Sequence, residues 1–473
     1  MGTATEVGID DTLPTIEASI FRAYDVRGLV GENLSPEIVH AIGRAFGSEL
    51  QERSDNHTVA VGRDGRASSA GFLDALAQGL CYSGVDVIDF GLVPTPLVHY
   101  GAFKHNAGAA IVVTGSHNPA SYNGLKFAIG QLPFSGSQLT RLYDRITCGN
   151  LGSCRAGALQ AQKVVDEYIT EVAAQIKLAK PLRVVIDCGN GASGVLSRQL
   201  FEAIGCEVIV LYEEVDSTFP NHHPDPAVPA NLTDLCKAVV ELRADAGIAF
   251  DGDGDRVGIV TETGENVWAD RLLALFARDV LERNPASTVV FDVKCGLSVR
   301  EAVAENGGKS VVSPTGHTNI KQHVCQHDAV LGGEFSGHFC FPDRWYTIDD
   351  AAYAGTRFLE LVSQGSNASE LFSNIARLPA TPEILIPVED HRKFEIIEHL
   401  TRCASFNGGE SDNTDGVRID FTDGWGLVRA SNTSPKLSLR FEAESELALT
   451  RIKQLFKREL ERIAPDLALQ GWL

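Results

Sequence analysis

Arg183-Val-Val-Ile-Asp187, Cys206-Glu-Val-Ile-Val210 and Gly247-Ile-Ala-Phe250, the last running into Asp251-Gly-Asp-Gly-Asp-Arg256, decide the fold. Each is a short β-branched run that reads as a buried strand. Between the first two, Leu196, Leu200 and Ile204 recur every four residues and line one side of a helix. The pattern occurs twice more. Upstream it runs through Thr58–Asp64, Val85–Phe90 and Ala109–Val113 and closes on Thr114-Gly-Ser-His-Asn-Pro119. Downstream it runs through Thr288–Asp292, Lys309–Val312 and Ala329–Leu331 and closes on Gly332-Gly-Glu-Phe-Ser-Gly-His338. Strands alternating with helices predict an α/β fold, a mixed sheet between helices in three consecutive domains with a shared core. From about residue 375 the pattern changes. Strands at 416–421, 426–430 and 437–443 precede a helix with apolar Leu449, Ile452, Phe456, Leu460 and Ile463, a smaller α+β unit. The expected domains are 1–155, 156–258, 259–374 and 375–473. Ligands of open α/β sheets bind beyond the carboxyl ends of strands, so the closing loops are expected around one central cleft.

The chain of 473 residues is 44% apolar and 22% charged, which excludes disorder, collagen and coiled coil and leaves room for three or four domains. Forty-one basic against 62 acidic side chains give a net charge of −21, so neither nucleic acid nor a membrane surface is an expected partner. An anionic substrate would need a local cationic cluster; Arg27, Lys126, Arg256, Lys294 and His317 recur near the loops. The ten Cys form no C-x-x-C pair, as expected of reduced thiols. No apolar run reaches roughly 18 residues. Glu6, Asp10 and Asp11 stand where a signal peptide would be basic, and Glu6 breaks a myristoylation start, so a cytoplasmic location is expected.

Asp251, Asp253 and Asp255 alternate with glycines and crowd three hard oxygen donors together, which favours a divalent cation, Mg²⁺ first. A calcium EF-hand is the rival, but Arg256 occupies its glycine position and the flanks read as strands. A solvated acidic turn is the third reading. Ser116 after a buried strand is either a turn or cap residue or a phosphoryl carrier whose oxygen completes the metal site. Glu334, Ser336 and His338 alternate, so an extended segment would aim them together at sugar hydroxyls; the bland alternative is a polar strand edge. Arg429-Ala-Ser-Asn-Thr433 offers a guanidinium, hydroxyls and amides for a phosphate.

Phe21–Gly28, Thr114–Pro119, Asp251–Arg256, Gly333–His338 and Arg429–Thr433 together resemble the α-D-phosphohexomutase family, within it the bacterial phosphomannomutase/phosphoglucomutase group. Phe219-Pro-Asn-His-His-Pro-Asp-Pro226, Asp292-Val-Lys-Cys295 and Asp343-Arg-Trp-Tyr346 match that group too, and make His222 and His223 loop residues rather than metal ligands. The resemblance implies a heart-shaped four-domain isomerase, monomer or weak dimer, whose phosphorylated Ser116 exchanges its phosphoryl group with a hexose phosphate through a hexose 1,6-bisphosphate. It assigns the phosphoserine, metal, sugar and phosphate loops to the four domains in order. Mg²⁺ would be held by Asp251, Asp253, Asp255 and the phosphoryl group on Ser116. Lys126, assisted by Arg27, is the leading base; His117 and His338 complete the catalytic set. Glu334, Ser336 and His338 would grip the sugar, and Arg429, Ser431, Asn432 and Thr433 the distal phosphate. Tyr24, Arg256, Lys294, His317 and Arg344 are implied further contacts. Phe335 stands where the group usually has Met, and Gly115 where the glucosamine-handling branch typically has Ala. Glucose and mannose phosphates are the expected substrates; a phosphoglucosamine mutase and a non-catalytic hexose-phosphate binding relative are the alternatives.

Overall fold

In each copy of the repeat the three runs lie parallel in the order second, first, third, and the chain then turns back antiparallel along the third. The computed structural model describes residues 13–152, 156–365, 367–432 and 434–467. In the first unit Asp86–Leu92, Thr58–Arg63 and Ala109–Val113 are the parallel strands and Tyr122–Ile129 returns antiparallel. The second unit repeats this with Glu207–Leu211, Arg183–Asp187, Ala246–Phe250 and Val257–Thr261. The third uses Lys309–Ser313, Thr288–Asp292, Leu331–Gly333 and Phe339–Cys340. Each chemistry-bearing loop is therefore the hairpin between the third parallel strand and its antiparallel return.

Two expected boundaries move. Leu159–Ala161 pairs with Asp86–Leu92 and completes the first sheet, so that sheet extends past 155. A break at 258 would cut Val257–Thr261, which belongs to the second sheet together with Asn266–Val267. Strand pairing across intervening sequence fixes these limits, and composition does not display it.

Alternation along the strands sorts side chains to the two faces of the first sheet. Val59, Val61, Ile111 and Val113 face the helices Pro36–Arg53, Ser69–Tyr82 and Ser137–Thr147. Ala60, Ala110 and Val112 face the other way, into a core continuous with Val184 and Ile186 of the second unit and Val289 and Phe291 of the third. The fourth unit is an antiparallel sheet in the order Ile384–Pro387, Lys436–Ala443, Gly424–Ala430, Val417–Phe421, Glu410–Asp412, covered by Asp390–Cys403 and Glu446–Ile463, with a separate core. Leu449, Ile452, Phe456 and Leu460 of the last helix are buried there, as their spacing requires. Among the described residues no helix is long and apolar enough to cross a membrane.

Candidate active site

Ser116 sits at the tip of the first hairpin, 3% exposed, with a left-handed φ of +48°. Its amide donates to Thr114 Oγ1 (2.7 Å), whose hydroxyl donates to Asp64 Oδ2 (2.8 Å). Its own hydroxyl lies 3.1 Å from His117 Nδ1 and donates to Asp251 Oδ2 at 3.3 Å. Burial and the cations Arg256 and Arg27 hold His117 well below the usual imidazole range, hence neutral. Arg27 donates to the Gly115 carbonyl and to Asn118 Oδ1, so it braces the loop from the neighbouring strand.

The second hairpin brings Asp251, Asp253 and Asp255 into burial, with one carboxylate oxygen of each within 4.8 Å of the others. Thr95, the first residue of the helix Thr95–Lys104, donates its hydroxyl to Asp253 Oδ2 at 2.6 Å, tying the first unit to this loop. Burial and the two neighbouring carboxylates push Asp251 well above the ordinary range. Asp253 Oδ1 is buried without a hydrogen-bond partner. Three crowded hard oxygen donors, one of them unsatisfied, fit a divalent cation. Strands flank the loop on both sides, which removes the EF-hand reading.

Lys126 Nζ donates to Asp253 Oδ2 (2.8 Å) and Asp255 Oδ2 (2.6 Å). Burial alone would lower its pKa, but Asp253, Asp255 and Asp251 raise it above the ordinary lysine value. In this arrangement Lys126 is a charged ammonium rather than a ready base. Arg256 Nη1 faces Asp225 Oδ1 at 4.0 Å.

Glu334, Ser336 and His338 do converge, although not as an extended segment. Glu334 accepts from Gly337 N and donates its amide to His338 O, and Gly337 takes φ +94°, so the loop is a tight turn. His338 Nε2 lies 3.2 Å from Asp255 Oδ1, and its Nδ1 lies 3.1 Å from Glu334 Oε2 and 2.8 Å from Ser336 Oγ. Burial would lower its pKa, but Asp255 and Glu334 raise it to about 10. Glu334, which burial would raise, is held down to about 2 mainly by His338. One imidazolium thus links the carboxylate loop to the third hairpin. His317 stacks on it, ring centroids 5.5 Å apart, and Gly316 N donates to Glu334 Oε1.

Tyr24 joins three units through one hydroxyl, which donates to Thr315 O (2.8 Å) and accepts from Asn319 Nδ2 (3.2 Å) and Asn432 Nδ2 (2.6 Å). Arg429 Nε donates to Asp415 Oδ2, which also accepts from Thr315 N. Ser431 Oγ lies 2.9 Å from Ser434 Oγ, and Thr433 lies outside the described residues. Lys294 Nζ lies 3.5 Å from Glu383 Oε1 and 5.9 Å from the Phe335 ring centre. Arg344 corrects an expectation: it pairs with Glu360 and donates to Gln175 O, away from these loops. His222 pairs with Asp187, and His223 Nε2 reaches the His117 carbonyl, so both are loop supports.

Sequence reasoning missed Asp64, Arg66 and Thr95. The signal was present in Gly62-Arg-Asp-Gly-Arg66, charges packed at the carboxyl end of a buried strand. Phe335 and Gly115 also change meaning. The Phe335 ring is buried between Trp268 (5.7 Å) and the Arg440 guanidinium (3.6 Å), and a Cβ on Gly115 would fall 2.3 Å from Arg66 Nε. Both identities answer to packing.

Fold and loops define a multidomain α/β protein whose repeated units deliver a hydroxyl, a carboxylate triad and cations to one place. Residues 18–150, 166–264 and 268–378 match the phosphoglucomutase/phosphomannomutase alpha/beta/alpha domains I, II and III, and residues 383–459 match the C-terminal domain. A phosphomannomutase/phosphoglucomutase of Pseudomonas syringae pv. tomato is 48% identical over 96% of this chain and 98% of its own. A phosphoglucomutase of Neisseria meningitidis serogroup A is 40% identical over 95% and 98%. A crystal structure of a phosphoglucomutase/phosphomannomutase family protein from Burkholderia thailandensis superimposes with a TM-score of 0.91 at 41% identity, covering 96% and 99%. The chain belongs to the phosphoglucomutase/phosphomannomutase family.

Proposed function

We infer that the protein interconverts the 1-phosphates and 6-phosphates of glucose and mannose, with Ser116 carrying the phosphoryl group. The observation that carries this reading is the buried Ser116 hydroxyl donating to Asp251 at the edge of the carboxylate triad. In the first half-reaction the phosphorus–Oγ bond of phosphorylated Ser116 breaks as a bond forms to the free sugar hydroxyl, whose proton leaves. The resulting hexose 1,6-bisphosphate turns over, and its other phosphoryl group returns to Ser116. Asp251, Asp253 and Asp255 would hold Mg²⁺, which when bound would supply charge neutralisation. Lys126 and Arg27 add positive charge beside the loop; Lys126 takes the hydroxyl proton only once it is released from Asp253 and Asp255 and has given up its own extra proton. Glu334, Ser336 and His338 read sugar hydroxyls, and Arg429, Ser431, Asn432 and Thr433 hold the distal phosphate. Since Phe335 and Gly115 answer to packing, neither argues for glucosamine.

Intact-protein mass spectrometry and kinetics test the reading. A phosphoryl adduct is expected that disappears in Ser116→Ala, with kcat falling about 10⁴-fold or more. Chelation should abolish turnover and Mg²⁺ restore it. Undiminished turnover by Ser116→Ala would overturn the phosphoserine route, and a strong kcat/KM preference for glucosamine 1-phosphate would overturn the substrate assignment.

A further inference from the structure

We propose that Arg66 is the positioning residue of the nucleophile loop, a role that rests on reading Ser116 as the phosphoryl carrier. Arg66 is 2% exposed and bonds to the Ser116 carbonyl, whereas the Ser116 hydroxyl faces His117 and Asp251. It sits behind the loop. Its Nε donates to Asp64 Oδ2 (3.1 Å), Nη1 to Pro119 O (2.6 Å) and Tyr122 O (2.9 Å), and Nη2 to Ser116 O (2.6 Å) and Asn118 O (2.6 Å). A guanidinium has five N–H groups, and here each has its own acceptor. Four of the acceptors are carbonyls of one hairpin, three in the loop that bears Ser116 and one on Tyr122, where the return strand begins.

Ser116 needs such enforcement. A non-glycine residue in the left-handed region is strained and stays there only when its surroundings dictate it. Drawing the Ser116 carbonyl to Arg66 fixes the peptide plane while the hydroxyl is left on the Asp251 side. The guanidinium is itself held. Asp64 anchors one edge and orders the loop directly through Thr114 Oγ1 and Gly115 N, and the Phe219 ring of the second unit lies 5.6 Å from the guanidinium carbon. Gly115 supplies the clearance. Lysine keeps the charge but brings three donors at a single point, so it cannot gather this set.

Arg66→Lys, Arg66→Ala and Gly115→Ala, with Ser116→Ala as reference, are assayed with glucose 1-phosphate alongside thermal melting. The expected result for Arg66→Lys is a folded protein with KM within about twofold of wild type and kcat lower by about 100-fold, the penalty of a nucleophile misplaced by about an ångström. Added methylguanidinium should recover part of the kcat of Arg66→Ala and none of that of Arg66→Lys, an outcome a merely structural role would not produce. Should Arg66→Ala not fold, Gly115→Ala carries the same test, since its Cβ pushes the guanidinium off its acceptors. Wild-type kcat in Arg66→Lys or Gly115→Ala, or a loss confined to KM, overturns the proposal. The two readings fail separately: an active Ser116→Ala removes the phosphoserine route, whereas a dead Ser116→Ala beside a full-rate Arg66→Lys removes only the positioning role.

Discussion

Tyr100, Tyr168, Trp345 and Tyr353 come from three units and pack ring against ring, whereas the fourth unit meets the third through two arginines, the Glu442 carboxylate and a small apolar cluster in which Trp425 and Leu427 pack on Val293. Trp345 stacks on Tyr100 at 5.7 Å and on Tyr353 at 4.6 Å and meets Tyr168 edge-on, with Asp350 accepting from Tyr168 and Trp345 beneath them. Arg418 donates to the carbonyls of Val293 and Cys295, and Arg440 pairs with Asp270 while donating to the Lys294 carbonyl. Parting the aromatic joint would return a large apolar area to water. Parting the other joint exchanges protein hydrogen bonds for water ones, each worth about 1 kcal/mol net, and exposes only the smaller Val293, Trp425 and Leu427 cluster. The difference makes the joint to the fourth unit the one expected to part first.

The largest effect should come from breaking the block of the first three units. Trp345→Ala is expected to destabilise the protein by about 3–5 kcal/mol in urea unfolding, lowering the midpoint of all three units together. A loss confined to one of them would show that the block is not continuous. Arg440→Ala should loosen the other joint. Undocking lets Asp270 hydrate, which keeps the loss below the about 3–5 kcal/mol that a permanently buried orphan charge costs. Faster proteolysis near residues 375–383 with an unchanged midpoint for the block is the expected result, and a lowered block midpoint would count against it. Tyr24→Phe removes the hydroxyl that ties Asn432 to Thr315 and Asn319. Its KM for glucose 1-phosphate should rise by about 5–10-fold, one to two hydrogen bonds' worth, with kcat little changed. Unaltered KM would dissociate the latch from substrate binding.

The smallest effect concerns a polar contact in the second unit. Burial would lower the His222 pKa, but Asp187 raises it above the ordinary imidazole value. Stability from the pair is therefore complete below the unfolded value of about 6.5 and is lost as pH rises through the folded one. The stability gap between wild type and His222→Gln should shrink on going from about pH 6 to about pH 9, and a constant gap would remove the charge contribution.

The three copies were legible because each strand is β-branched and each ends in a polar loop. The triad is legible because three aspartates alternating with glycines within five residues make an unusual pattern, whereas Ser116 alone reads equally as a turn residue and is singled out only by the family resemblance. What the chain does not display is pairing between distant segments. Leu159–Ala161 has nothing in its composition that attaches it to Asp86–Leu92, and the short Glu410–Asp412 strand and the edge strand Ile384–Pro387 went unread for the same reason. Glu334, Ser336 and His338 were grouped correctly on a wrong geometry, since a turn and an alternating strand both bring such residues to one side. Arg344 sits in a matching stretch, yet Glu360 lies within its reach and takes it. The charged run Gly62–Arg66 marks the place of Arg66 but not its role, because four of its five acceptors are carbonyls, which no side-chain pattern encodes.

A hairpin pins both ends of its tip within one strand spacing, about 4.8 Å, whatever residues the tip carries. A gene segment copied twice in tandem would then inherit three identical sockets, each free to exchange its tool without disturbing the handle. On this protein one socket ends in an alcohol, the next in acids, the third in a mixed polar set, so division of labour could arise by altering a handful of codons per copy.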